Sequence, residues 1–328
     1  MPPLVSLVLA VKNGLPHLKS TIEAVRRQKY SNYELVVQDG GSTDGSRQYL
    51  SSLTDIAHLK LAAAPDTGLG QAYNRALARC SGDLVCFLAC DEYLEDDALE
   101  TAVDCFRHHP TAVFVNGAVR LTDSHNHVVQ IFESPHFNLL GHLKCEVVLA
   151  FAGLLNRHRI GSDLFCDERL KTCPDYDFWI RLGTRFAAAD FVVVNKIFKT
   201  ARADRTSMSY RAESFRQFCL DKQFALNRFL DAQPPGPVVE SVRSAATAGI
   251  LLWAAENVWS LEGASPAFFR SCREAARLEP WSPRLLALAA RSAAFTIDEA
   301  TGRLKPMKLE ETHVVAGERT GDRHRRPR

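Results

Sequence analysis

Glu34-Leu-Val-Val-Gln-Asp-Gly-Gly-Ser-Thr-Asp-Gly-Ser46 is a short apolar run that stops on a carboxylate, two glycines and a cluster of cap-forming residues. The run reads as a buried strand, and Asp39 sits at its carboxyl end, where a carboxylate can accept hydrogen bonds from a base N–H or a ribose hydroxyl. Gly40 and Gly41 lack the Cβ atoms that would keep a ligand at a distance, and Ser42 or Thr43 can cap the helix that follows. The same letters also suit a plain turn into a helix. Repetition of the device downstream separates the two readings.

Working outward, the first 100 residues alternate strands with helices, the pattern of an α/β sheet. Ser6–Val11 is a continuous apolar strand, and Leu18, Ile22 and Val25 mark one face of a helix reaching to about Gln28. Glu34–Val37 is the second strand and Leu59–Ala63 the third, which leads through Pro65-Asp-Thr-Gly68 into a helix carrying Ala72, Ala76 and Leu77. The fourth, Leu84–Leu88, ends on Ala89-Cys-Asp-Glu92. In an open parallel sheet, ligands bind beyond the carboxyl ends of the strands. Here those ends carry Asn13, Asp39, Asp66, and Asp91 with Glu92, so the clustering of polar groups on one rim favours a site over a set of unrelated turns.

The chain has 328 residues with a formal net charge of +2. That balance lacks the concentrated basic face of a nucleic-acid binder and excludes nucleic acid as the main partner. The amino-terminal apolar run is short and has no basic residues before it, and no stretch reaches the ~18 consecutive apolar residues of a membrane span. The nine cysteines follow no framework and read as small buried hydrophobes in a reducing compartment. The expectation is a cytoplasmic protein. A dinucleotide oxidoreductase is a rival class that ranks far lower, because the first strand-to-helix turn, Val11-Lys-Asn-Gly-Leu-Pro, lacks Gly-x-Gly-x-x-Gly.

The run Val5-Ser-Leu-Val-Leu-Ala-Val-Lys-Asn, followed by Val36-Val-Gln-Asp-Gly-Gly-Ser-Thr-Asp-Gly-Ser46, Pro65-Asp-Thr-Gly with Ala72-Tyr-Asn-Arg75, and Ser81-Gly-Asp-Leu-Val with Ala89-Cys-Asp-Glu92, resembles the nucleotide-sugar half of family 2 glycosyltransferases. The closest motifs are those of the branch that builds bacterial exopolysaccharide and colanic-acid-like chains. The resemblance covers about residues 4–210. It implies a GT-A fold, a mixed and mainly parallel sheet flanked by helices, with a nucleotide-diphosphate sugar donor, UDP-linked by preference, and a divalent cation, Mn²⁺ or Mg²⁺. By position it places Ala10, Lys12 and Asn13 at the base and ribose, Asp39 on the nucleoside, Asp66 and Arg75 along the uridine and phosphate wall, and Cys90 on the nucleotide side.

Asp91 occupies the last position of the family's Asp-x-Asp signature and is the implied metal ligand, but the first position is Ala89. Glu92, or Asp204 where the family often has His, are the candidates to restore the missing charge. The segment Thr172-Cys-Pro-Asp-Tyr-Asp-Phe-Trp179 resembles the family's acceptor motif. This makes Asp175 the general base that takes a proton from an acceptor hydroxyl, with Asp177 and Trp179 secondary on the acceptor side, Trp179 suiting the core better than the acceptor pocket. Read without the resemblance, the same segment is an amphipathic helix with acids in its first turn. Asp167 and Glu168 match a loop-bracing turn. No tryptophan follows an arginine as in the processive synthases, so the expected enzyme is non-processive and inverting, acting on a saccharide or lipid-linked saccharide hydroxyl. The Ala89 departure leaves open a non-catalytic nucleotide-sugar-binding or scaffold protein.

The expected organisation is a glycosyltransferase domain over residues 1–212, split at 100 into nucleotide-sugar and acceptor halves, then a helical extension over 213–304. The tail, 305–328, is polar and ends Asp-Arg-His-Arg-Arg-Pro-Arg. Its composition does not support a packed core; it suits a solubilising tail first, and its arginines could also make peripheral contact with anionic lipid at the inner face of the plasma membrane.

Overall fold

The computed structural model describes residues 2–289 apart from 57, 148, 150, 203–211 and 264. Asp204 and the tail therefore lie outside the described residues.

In chain order the elements are β1 (Val5–Val11), α1 (His17–Arg26), β2 (Tyr33–Asp39), α2 (Ser46–Ser51), β3 (Leu59–Ala63), α3 (Leu69–Leu77), β4 (Leu84–Ala89), β5 (Glu92–Leu94) and α4 (Ala98–His108). They continue with β6 (Phe114–Thr122), β7 (Val128–Phe132), α5 (Leu139–Leu143), β8 (Gly153–Asn156), α6 (Arg157–Ile160), α7 (Pro174–Arg185) and β9 (Phe191–Arg202). Three helices, α8 (Ala212–Asp231), α9 (Pro237–Glu262) and α10 (Pro266–Leu278), complete them. The strands form one sheet in the order β3-β2-β1-β4-β8-β6-β9-β5, with β7 paired to β6.

The four strands expected from their apolar runs are present and mutually parallel. Every residue of β1 is buried, as a central parallel strand covered on both faces requires. Register aligns Val11 with Asp39 and Ala10 with Ala89, so the strand ends share one rim. Beyond β4 the sheet turns mixed: β8 runs antiparallel to β4 and β6, β9 parallel to β6, and β5 antiparallel to β9. The pairing of β5 with β9 carries the segment just past Asp91 across to the other half of the sheet.

Two apolar layers cover the sheet. One includes Leu18, Ile22 and Val25 of α1 with Leu99 and Val103 of α4. The other joins Ala72 and Ala76 of α3 to Phe178, Trp179 and Leu182 of α7. A third cluster ties the helical extension to α7 and the turn before it, because Leu226, Ile250 and Phe268 share a core with Cys173, Tyr176 and Ile180. Helix α9 is long and apolar enough to cross a bilayer by composition, yet it packs between α8 and α10 and against the end of α5. A Cβ on Gly249 would lie 2.1 Å from the Lys144 carbonyl oxygen.

Candidate functional site

The strand-end loops interlock on the donor side. Asn13, in left-handed backbone at φ 53°, accepts from the Thr43 amide through its side-chain oxygen (2.8 Å), while its own N–H donates to Ser42 Oγ (2.8 Å). The Gly14 amide donates to Ser46 Oγ at 3.0 Å and Leu15 N–H to Asp44 Oδ2 at 2.9 Å, so the loop after β1 is stitched to the loop after β2. Ser46 acts here across loops, and neither Ser42 nor Thr43 caps α2, whose N-cap is Gly45.

Asp39 is fully buried. Its Oδ1 accepts from the Gly41 and Ser42 amides at 2.9 Å each, and its Oδ2 is buried with no partner. An unsatisfied buried carboxylate oxygen is costly, of order 1–3 kcal/mol or more for a charged group, and a ligand hydroxyl or N–H would relieve it. Gly40 lies so close to Asp66 that a Cβ there would be 2.1 Å from Asp66 Oδ2. Asp66 is thus held against the loop carrying Asp39, and Arg75 donates to the Pro65 carbonyl at 2.8 Å, fixing the same turn. Ala10 is buried in the sheet, and Lys12 is exposed on the rim. Cys90 packs on Gly14, where a Cβ would meet its own Cβ at 2.9 Å. Burial pushes the Cys90 thiol up to about 12, so it presents a neutral S–H.

The far end of β4 is less acidic in effect than its letters suggest. Glu92 Oε2 accepts from the Ala89 amide (3.1 Å) and from Lys199 Nζ (2.9 Å). Lys199, on β9, is only 2 % exposed, and also donates to the carbonyls of Phe87 (2.9 Å) and Phe151 (2.6 Å). An ammonium bound to Glu92 repels a second cation there, which leaves Asp91 as the described carboxylate suited to one. Among the described residues no group of three or more His, Cys, Asp and Glu is placed to hold a metal. A single carboxylate fits Mg²⁺ or Mn²⁺ of the kind that keeps several waters and takes its other ligands from substrate phosphates. Asp91 and Glu92 both add to the field on buried Tyr73, whose hydroxyl burial pushes well above its ordinary range.

Asp175 opens α7 directly after Pro174 at the first helical position, a favourable place for an acid. Its Oδ1 accepts from the Tyr176 amide at 3.0 Å. Burial raises the Asp175 carboxyl above the ordinary carboxylate range, Glu92 adds to the rise, and Lys222 opposes it. That mutual field relates the acceptor helix to the end of β4. Asp177, two residues on and about 200° around the helix, turns inward. It is buried and ion-paired to Arg181 at 2.9 Å and to Arg228. Trp179 is also inside the core, donating from Nε1 to the Leu149 carbonyl at 2.8 Å and packing 4.5 Å from Phe114. Both side chains shape α7 from within and present no surface to a ligand.

The turn before α7 is clamped from two directions. Glu168 accepts from Gln71 and Asn74 of α3 at 2.9 Å each, and Asn74 also exchanges hydrogen bonds with the Cys166 backbone. From the other side, Asp221 of α8 accepts from the Lys171 and Thr172 amides and the Thr172 hydroxyl at 2.7–2.8 Å. Lys222 lies over the rings of Tyr176 (4.4 Å) and Trp253 (4.5 Å), and Arg228 bridges Asp167 to Asp177. Sequence reasoning missed these α8 residues. The only local signal is three charged side chains whose helical positions fall among apolar ones, and their partners lie about 30 to 60 residues away. Buried His142, hydrogen-bonded to the carbonyls of Val147 and Tyr176, was missed too; burial lowers it to about 4.

The family model described as glycosyl transferase family 2 matches residues 6–151. An uncharacterized glycosyltransferase of Haemophilus influenzae is 34 % identical over 30 % of this chain and 40 % of its own length. The putative teichuronic acid biosynthesis glycosyltransferase TuaG of Bacillus subtilis is 23 % identical over 64 % of this chain and 88 % of its own. The chain spans 40 % and 33 % of the first two curated relatives it matches. Among solved structures, S. aureus TarS 1–349 in complex with UDP-GlcNAc superposes with a TM-score of 0.60 at 16 % identity, covering 91 % of this chain and 92 % of that one. The mannosyltransferase PcManGT of Pyrobaculum calidifontis, in complex with GDP-Man and Mn²⁺, gives 0.53 at 16 % identity over 92 % and 84 %. At such identity the likeness is one of fold: the sheet and its flanking helices are of GT-A type.

Proposed function

We propose that this chain, which belongs to glycosyl transferase family 2 through residues 6–151, transfers one sugar from a nucleotide-diphosphate donor to a hydroxyl of a saccharide or lipid-linked saccharide. The observation that carries this reading is Asp39, a fully buried carboxylate with one oxygen tied to backbone amides and the other without a partner, at the rim where Asn13, Asp66 and Cys90 converge. A nucleoside supplies the N–H or hydroxyl donor that this oxygen lacks, and Ala10, Lys12 and Asn13 stand on the same strand-end rim. A UDP-sugar is the first choice, since TarS, alike in fold, was crystallised with UDP-GlcNAc; GDP-mannose, bound by PcManGT, is the second.

Asp175 serves as general base. It takes the proton from the acceptor hydroxyl as that oxygen forms its bond to the anomeric carbon, and the nucleoside diphosphate leaves from the opposite face with the bonding electrons. One displacement inverts the anomeric configuration. Divalent Mg²⁺ or Mn²⁺, when bound, neutralises charge on the departing diphosphate, and Asp91 would hold it, with Asp204 a further candidate. Arg75 lies on the phosphate side. Action at the cytoplasmic face, on an activated donor made inside the cell, is the setting that fits such chemistry.

A second reading, a nucleotide-sugar-binding protein without turnover, is favoured by Ala89 and by the neutralisation of Glu92 by Lys199. Thermal-shift screening against UDP-, GDP- and dTDP-sugars with and without Mn²⁺, followed by an assay of diphosphate release, separates the two. Stabilisation by one donor class with release supports the enzyme; stabilisation without release supports the binder. Absence of any shift, or an unchanged shift in Asp39→Asn, removes the site.

A further inference from the structure

Twelve large hydrophobic residues are exposed among those described, and seven of them belong to the helical extension: Leu220, Phe224, Val238, Phe269, Leu278, Trp281 and Leu286. The extension makes up less than a third of the described chain, so this is a concentration and not the ordinary scatter of exposed apolar residues. Trp281 is 82 % exposed and Phe269 42 %.

Helix α10 turns Phe268 and Ala275 into the core. Its opposite face holds Phe269, Arg270, Arg273 and Arg277, all exposed, with Glu274 the one acid among them. None of the three arginines ion-pairs with a described residue, in contrast to Arg228, Arg243 and Arg284 of the same region, which are committed to carboxylates. Beside this face, α8, α9 and α10 enclose a groove of about 460 Å³ whose floor includes Leu220, Ile250, Leu251 and Leu278 and whose edge includes Arg216 and Arg277.

We propose that the outer face of α10, with the adjoining turn at Trp281, docks on an anionic phospholipid surface. The arginines match the negative potential of phosphatidylglycerol-type headgroups. Phe269 and Trp281 have the chemistry of side chains that settle at the boundary between headgroups and acyl chains, a large apolar ring and, for Trp, one polar edge. Nucleic acid would be served by the arginines but offers nothing to Leu278, Leu286 and the apolar groove. The proposal concerns a surface that includes none of the residues assigned to chemistry and stands whatever the donor is.

Co-sedimentation of the full chain with phosphatidylcholine vesicles, with and without 30 mol% phosphatidylglycerol, tests it. Partitioning onto the anionic vesicles only is expected, weakened about a hundredfold in Arg270→Gln/Arg273→Gln/Arg277→Gln, at roughly fivefold per arginine. Tryptophan emission should shift to the blue on binding, and the shift reports Trp281, because Trp179 is buried and Trp253 and Trp259 are half-buried in packed clusters. Trp281→Phe should retain binding and lose the shift. Equal binding to neutral vesicles, or wild-type partitioning by the triple arginine variant, would overturn the assignment, the latter pointing to the basic tail. So would a wild-type dimer in sedimentation velocity that Trp281→Ala dissociates, since the face would then meet a second copy of the chain.

Discussion

Replacing Lys199 with Met should be among the most damaging single changes in the sheet. Lys199 is nearly inaccessible, and its ammonium holds three acceptors from three segments: Glu92 Oε2, the Phe87 carbonyl of β4 and the Phe151 carbonyl before β8. Removing one partner of a buried ion pair costs about 3–5 kcal/mol because the other charge is left uncompensated. Glu92 retains 26 % side-chain exposure, so water screens part of that charge, while the two carbonyls that lose a donor add of order 1–3 kcal/mol each, overlapping the first cost. A net loss of about 3–5 kcal/mol is expected, read from urea unfolding by fluorescence and circular dichroism in parallel, with the denaturant slope unchanged. In a cycle with Glu92→Leu, the double variant should be less destabilised than the two singles together by ~1–3 kcal/mol. A cost below about 1 kcal/mol for Lys199→Met, or additivity within about 0.5 kcal/mol, would refute the account of Glu92 as a residue neutralised by Lys199.

Three further outcomes are expected. Gly40→Ala should abolish the thermal shift given by the donor while leaving most of the fold's stability, because the added methyl needs the place of the Asp66 carboxylate; calorimetric titration with donor checks this. Asp175→Asn should lower turnover by about 10²–10⁴ with little change in donor affinity. Since burial raises that carboxyl and the base acts deprotonated, wild-type turnover should rise with pH through a midpoint above the ordinary carboxylate value near 4, a limb absent from Asp175→Asn. Acid should weaken the fold through Glu34, where burial would raise the carboxyl but Lys60, Ser6 and Ser81 bring it down to about 2. A depressed carboxylate contributes its full stabilisation above the unfolded value near 4 and loses it as pH falls from there toward 2. Urea midpoints at pH 7, 4 and 2.5 should therefore fall less steeply in Glu34→Gln than in the wild type.

The parallel half of the sheet was legible because its signals are local. The first four strands are apolar runs, nearly all buried in β1, β2 and β4 and half-buried in β3, and the observed bounds of β1 to β4 differ from the expected ones by at most two residues at either end. The extension expected to be helical is helical over its described residues, as α8, α9 and α10. The reading of α7 as an amphipathic helix with acids in its first turn agrees with the burial of Phe178, Ile180 and Leu182 and with Asp175 and Asp177 in that turn. The same inward face takes Trp179, as its suitability for the core implied, and also Asp177, whose motif position suggested contact with an acceptor; helical phase and depth, not residue type, decide that.

Sequence alone determined the parallel strands, the rim on which Asp39, Asp66 and Asp91 gather, and the family, because apolar periodicity and turn chemistry are written within a few neighbouring residues. Tertiary structure alone decided which charges are spent on one another. Glu92 meets Lys199 across 107 positions, Asp221 meets the turn at 171–172 across about 50, and Arg228 joins Asp167 to Asp177 across 61 and 51. Ion pairing depends on separation in space and on the water excluded between the partners, and neither quantity is encoded in spacing along a single chain.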